Sequence, residues 1–206
     1  MFFKNYFKPR DYAKSKLRNC GNQFCFIIPE YMNKNIVKKG TEKQKEGAWK
    51  NLILTEQLRG RRTVTGLMSP MFSVSNKLDR TIFNAENTEE LPGTLISYEK
   101  FSGIKTQEVT VREAYNWSGE TYNFYKNLFD RNSIDTRGMR LDSTVHYGEK
   151  YNNAFWNGTQ MVYGNGDGEI FQRFTKCIDV VGHELTHVTK KLQEELFLNQ
   201  FNDCKF

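Results

Sequence analysis

The sequence predicts an α+β fold, in which short strand-like runs sit between amphipathic helices. Three observations carry this expectation. The runs TIFNA (81–85) and TLISYE (94–99), with the stretch around TQEVTV (106–111), are separated by the turn signals Pro92-Gly93 and Ser102-Gly103. Val111, Ala114, Tyr115, Tyr122, Tyr125 and Phe129 then share one face of a helix from about Thr110 to Phe129, which Ser118-Gly119 weakens at its middle. Ile178, Val181, Leu185, Val188, Leu192 and Leu196 repeat at the same spacing along a second helix from about Phe174 to Leu198.

The chain divides into three parts. Residues 1–24 are basic, with breakers at Pro9 and Gly21, and read as a loose tail. Residues 25–62 open with the apolar, extended CFIIPEYM, where Pro29 argues against helix around Ile28. Thr41-Glu42-Lys43-Gln44 resembles a capping box, opening a helix through Trp49, Leu52, Ile53, Leu54 and Leu58 that should stop near Gly60. The run Arg59-Gly60-Arg61-Arg62 reads as an exposed, cleavable loop. Residues 63–206 form the main domain, with strands and turns from Arg140 to Phe171. The loop Gly164–Gly168 is expected to be a tight glycine turn.

Composition narrows the function classes. With 206 residues, 38% hydrophobic and 26% charged, the chain suits a globular domain with its own core. No apolar run is long enough to span a bilayer, and the N-terminus lacks the continuous apolar stretch of an ordinary signal peptide. The four cysteines match no zinc spacing and are expected to be free thiols. Basic residues outnumber acidic ones three to one over residues 1–62, whereas residues 63–206 are net acidic. The few aromatics of the basic half lie on an apolar stripe, which suits docking on a later acidic surface better than binding nucleic acid or a membrane surface.

The motif that carries chemistry is His183-Glu184-Leu185-Thr186-His187. Residues four apart on a helix stack on one face, so His183 and His187 can present two imidazole nitrogens to one zinc ion. Glu184 can stand beside such a metal without ligating it, placed to take a proton from water and pass it to a leaving amine. His146, in a strand-like segment, reads as structural, and Cys25 as a buried thiol. Asn152, Asn153 and Asn157 suit turn positions around Phe155-Trp156. Asp179 suits the first turn of the last helix.

The surroundings of the motif resemble a known family. VHYGEKYNNAFWNGTQMVYGNGDGEIF (145–171), followed by IDVVGHELTH (178–187), is similar to the catalytic core of thermolysin-like neutral proteases. REAYNWSGETYNFYKNLFDRNSIDTRGMRLDS (112–143) fits the same family. Residues 25–62 resemble the short pro-segment of its protealysin-like branch, with Pro29-Glu30-Tyr31 where Pro-Pro-Tyr is usual.

The resemblance implies a thermolysin-type catalytic domain: a mixed, mostly antiparallel sheet with an active-site helix, preceded by a short helical pro-segment. It implies zinc held by His183 and His187, Glu184 as general base, and peptide or protein substrates. It implies that the Asn153 side chain and the Ala154 main chain bind the substrate backbone. The pro-segment becomes an intramolecular inhibitor, Asp179 a candidate calcium ligand, and secretion the expected destination, with a cytoplasmic location as the alternative. The family takes its third zinc ligand from an Asn-Glu motif on a following helix, and no such motif follows His187 before Phe206. The family's C-terminal helical domain is likewise absent from this sequence. The alternative reading is therefore a truncated, inactive remnant, and little peptidase activity is expected of this chain by itself.

Overall fold

Short β-strands flanked by longer helices organise the chain, as its alternating apolar patterns require. The computed structural model describes residues 26–65, 77–99 and 106–186, with backbone only over 59–65. In order these form helices α1 (Glu30–Lys39) and α2 (Glu42–Thr65), strands β1 (Arg80–Asn84) and β2 (Thr94–Tyr98), helix α3 (Val109–Phe129), and strands β3 (Leu141–Val145), β4 (Ala154–Trp156) and β5 (Met161–Tyr163). A last helix, α4, is described over residues 178–186.

The sheet order is β2-β1-β3-β5-β4. The two outer pairs are antiparallel and the two central ones parallel, so the sheet is mixed. Strands β4 and β5 are buried on both faces. Successive side chains point to opposite faces of a strand. Trp156, Met161 and Tyr163 accordingly join the core shared with α3 and α4, while Phe155 and Val162 join a second cluster with Leu54 and Leu58 of α2. The N-terminal segment thus caps one face of the sheet and helix α4 lies against the other.

Local chemistry explains where the helices begin. Pro29 precedes α1, since its ring disfavours helix in the residue before it. At the start of α2, Gln44 Oε1 accepts from the Thr41 N–H at 3.0 Å and Thr41 Oγ1 accepts from the Gln44 N–H at 3.4 Å, the reciprocal pattern of a capping box. Glu108 caps α3 by accepting from the Thr110 and Val111 N–H groups at 2.9 and 2.6 Å.

Several expectations need correction. The stretch TQEVTV forms no strand: its β-branched residues open α3, because the Glu108 cap satisfies the first orphan donors there. Helix α3 continues through Ser118-Gly119, where an added Cβ would meet Arg80 Nη1 at 2.3 Å. That arginine forks onto Glu99 at 2.6 and 2.9 Å, donates to the Tyr115 carbonyl at 3.0 Å, and lies 3.6 Å over the Tyr115 ring. The glycine makes room for it. Phe129 and Ile178, expected on core stripes, are exposed, as are Trp49 and Ile53 of the stripe expected on α2. Helix α1 was not foreseen. Helix α2 does not stop at Gly60 but runs to Thr65, so the backbone of Arg59–Arg62 is helical rather than a loop. The turn at Ser102-Gly103, Cys20, Cys25, Cys204 and everything from His187 onward lie outside the described residues. Cys177 is free and exposed.

Candidate active site

Helix α4 carries His183 and Glu184, and two contacts fix it. Arg173 and Thr175, just before the helix, all bond Glu113 of α3, at 2.6 to 2.8 Å. Thr186 Oγ1 lies 2.9 Å from the Tyr125 hydroxyl of α3 and donates to the Gly182 carbonyl at 2.7 Å. Between these ends, Val181 and Leu185 drop into the core. The same turn sends Glu184 inward and leaves His183 exposed.

Glu184 is 0% exposed and neither carboxylate oxygen makes a hydrogen bond of good geometry. Burial pushes its carboxyl well above the usual range, opposed in part by the main-chain N–H of Trp156 on β4. His183, although exposed overall, is partly desolvated at its ring, which holds it below the ordinary histidine value. The buried hydroxyls of Tyr151 and Tyr163 are pushed upward, chiefly by desolvation and further by the nearby Glu184 carboxylate. A buried carboxylate with no partner is costly unless something else occupies its surroundings. A cation or a polarised water beside it would satisfy that demand.

Strand β4 brings the second group of expected residues to the same place. Asn153 and Ala154 are buried at its start, while Glu184 meets its end at Trp156. The free edge of β4 is occupied by the chain's own N-terminal segment. Phe26 pairs antiparallel with Phe155, and the Ile27 N–H donates to the Ala154 carbonyl at 3.2 Å. The Asn153 amide clasps Ile28 on both sides, accepting from its N–H at 2.8 Å and donating to its carbonyl at 3.2 Å. This is peptide recognition by strand addition. The Phe26 ring packs 5.5 Å from that of Phe155.

The remaining candidates sort themselves by geometry. Asp179 is exposed on the first turn of α4, where it lines an apolar groove with Phe124, Tyr125 and Ile178. Among the described residues no three His, Cys, Asp or Glu side chains converge on one point, and His187 lies outside them. His146 is structural: just past β3 it adopts φ 54°, and its ring meets Asn165 at 2.8 Å and Glu108 at 3.5 Å. Asn157 closes a turn by accepting from Thr159 and Gln160. The loop Gly164–Gly168 is not the expected tight turn: Gly164 and Gly166 donate to the Asn153 and Tyr151 carbonyls at 3.0 Å, and the chain bends only after Asp167, where Gly168 donates to the Phe171 carbonyl. Asp167 Oδ1 accepts three main-chain N–H groups there, and Gly166 at φ 72° has no room for a Cβ, with the Phe171 carbonyl 2.4 Å away. Sequence reasoning missed Asn51 and Asp167. The only hint of Asn51 was a polar residue beside the apolar stripe of α2.

Comparison with known proteins agrees with this geometry. Residues 55–190 match the family described as thermolysin metallopeptidase, catalytic domain. Protease PrtS of Photorhabdus sp. (strain Az29) is 39% identical over 87% of this chain and 49% of its own length. An extracellular metalloprotease of Pectobacterium carotovorum subsp. carotovorum is 42% identical over 79% of the chain and 46% of its own. The solved precursor of protealysin, a metalloproteinase from Serratia proteamaculans, aligns with TM-score 0.69 at 40% identity, covering 82% of this chain and 47% of that one. The mixed sheet with helix α4 against one face matches a protealysin/thermolysin-type catalytic domain. The chain belongs to the thermolysin metallopeptidase family, and it spans about half the length of these relatives.

Proposed function

We propose that this chain is the N-terminal part of a zinc-dependent endopeptidase precursor of the thermolysin type, with residues 25–62 as its inhibitory segment. One observation carries the reading: the edge of β4, which ends beside Glu184, is filled by Phe26–Ile28 of the same chain. A peptide substrate would take this place once the segment leaves. Asn153 would clasp its backbone and the Ala154 carbonyl would accept from its N–H, as each now does for Ile28 and Ile27.

His183 and His187 would hold zinc: two imidazoles four residues apart suit the metal, and the buried Glu184 carboxylate beside them has no side-chain partner among the described residues. Zinc supplies Lewis acidity, acidifying water and polarising the scissile carbonyl. Glu184 takes the proton from the attacking water and returns it to the leaving amine. Secretion follows the extracellular relatives, and calcium at Asp179 remains part of the same family reading.

The test is zinc content and peptide cleavage by the purified chain. Stoichiometric zinc lost in a His183→Ala variant, with cleavage abolished in Glu184→Gln, would support the enzyme. The second reading is a catalytically inactive form of the same domain. Substoichiometric, weakly held zinc and no Glu184-dependent cleavage would establish it.

A further inference from the structure

We propose that Asn51 of α2 is a positioning residue that, by holding the Asn152 main chain, sets Asn153 for the pairing of Phe26–Ile28 with β4. The inference rests on reading residues 25–62 as the inhibitory segment, and concerns how that segment is held.

Asn51 is 3% exposed on the face of α2 that otherwise buries Ala48, Leu54 and Leu58. Burial alone does not explain an amide there, since leucine would bury more apolar area at lower cost. Its geometry does. Asn51 Nδ2 donates to the Gly47 carbonyl of its own helix at 2.8 Å, which fixes the amide's orientation. Oδ1 is thereby aimed across the interface, where it accepts from the Asn152 N–H at 2.9 Å.

Asn152 is the residue before Asn153, whose side chain clasps Ile28. One step of backbone therefore separates the contact made by α2 from the contact made by the extended segment. The far side of this corner is rigid. Asn152 Nδ2 donates to Asp167 Oδ2 at 2.7 Å, and Asp167 Oδ1 gathers the N–H groups of Glu169, Ile170 and Phe171. Glu169 in turn pairs with Lys43 in the first turn of α2. Helix α2 thus grips one loop system at two points about 12 Å apart. Of these two grips, Asn51 acts directly on the main chain of the corner that orients Asn153, whereas Lys43 reaches it through Glu169 and Asp167. Without Asn51 a buried N–H loses its acceptor, and the corner must shift to find another.

The experiment is residue-resolved amide hydrogen exchange on the full chain, read at Ile27 and Ile28. Asn51→Leu is expected to lower protection there at least tenfold while the paired amides of β1 and β3 keep theirs. Leu58→Ala loosens the apolar seat of α2 without touching Asn152, and is expected to change Ile27 and Ile28 less than threefold. Unchanged protection in Asn51→Leu, or an equal loss in Leu58→Ala, would overturn the positioning role. Unprotected Ile27 and Ile28 amides in the parent chain would instead overturn the reading of the segment itself.

Discussion

Asp167 gathers four hydrogen bonds on one half-buried carboxylate, three from main-chain N–H groups and one from Asn152. Burial alone would push its carboxyl up, but the Phe171 N–H, the Asn152 amide and the other two N–H groups together hold it below its ordinary value. A carboxyl depressed in the folded state stabilises fully above its unfolded pKa, and that stabilisation is lost as pH falls through the folded value. Asp167→Asn should therefore cost about 1 kcal/mol at neutral pH, solvent screening part of the charge. The gap should narrow below about pH 4, as urea denaturation at a series of pH values would show. Gly119→Ala is a steric test of a different kind. The new methyl would press on an arginine already fixed by Glu99 and Tyr115, so about 1–3 kcal/mol should be lost in thermal unfolding. Neither role was legible in the sequence. Asp167 resembles any acidic turn residue until its partners are known, and Gly119 looks like a helix breaker until Arg80 is seen beside it.

At the scale of elements, the helical periodicities gave most of the interior. Val111, Ala114, Tyr115, Tyr122 and Tyr125 are buried as expected, as are Val181 and Leu185. The errors fall where two local signals competed. Val109, Thr110 and Val111 have the branching of a strand, but the Glu108 cap decides for helix. Gly60 is a poor helix former, yet α2 passes through it, since one such residue costs only about 1 kcal/mol against the packing of the helix as a whole. This continuity has a measurable result. A protease needs extended backbone, so Arg59, Arg61 and Arg62 should be cut by trypsin only through local unfolding. Timed digestion with mass spectrometry is expected to show slow cleavage there in the parent chain. Leu58→Ala, which removes a buried contact one residue before Arg59, should speed that cleavage severalfold.

For the molecule as a whole, the charge asymmetry of the sequence anticipated an N-terminal half docked on the domain that follows it. What it did not show is that, among the described residues, the docking is seated on an apolar cluster. Lys43–Glu169 spans the interface, while Leu54 and Leu58 meet Tyr147, Tyr151 and Phe155 in a shared cluster. Stability of the docked state should therefore respond weakly to salt. Denaturation midpoints at low and high sodium chloride are expected to agree within about 0.5 kcal/mol. The site itself was half legible. The spacing of His183, Glu184 and His187 announced its chemistry, but the occupation of β4 by Phe26–Ile28 depends on contacts about 125 residues apart in sequence, which no local pattern encodes. Phe124 and Phe129, stacked beside Tyr125 and largely exposed, form an apolar surface on the described part of the chain.

The clasp of Ile28 by Asn153 also makes the segment a tethered ligand. Its local concentration at β4 is set by the chain that joins them, on the order of millimolar for a short connection, and not by how much protein is present. On the proposed function, an incoming peptide would compete against a constant that dilution cannot lower. Once the connecting chain is cut, the same contacts become an ordinary bimolecular equilibrium, and dilution alone begins to empty the edge.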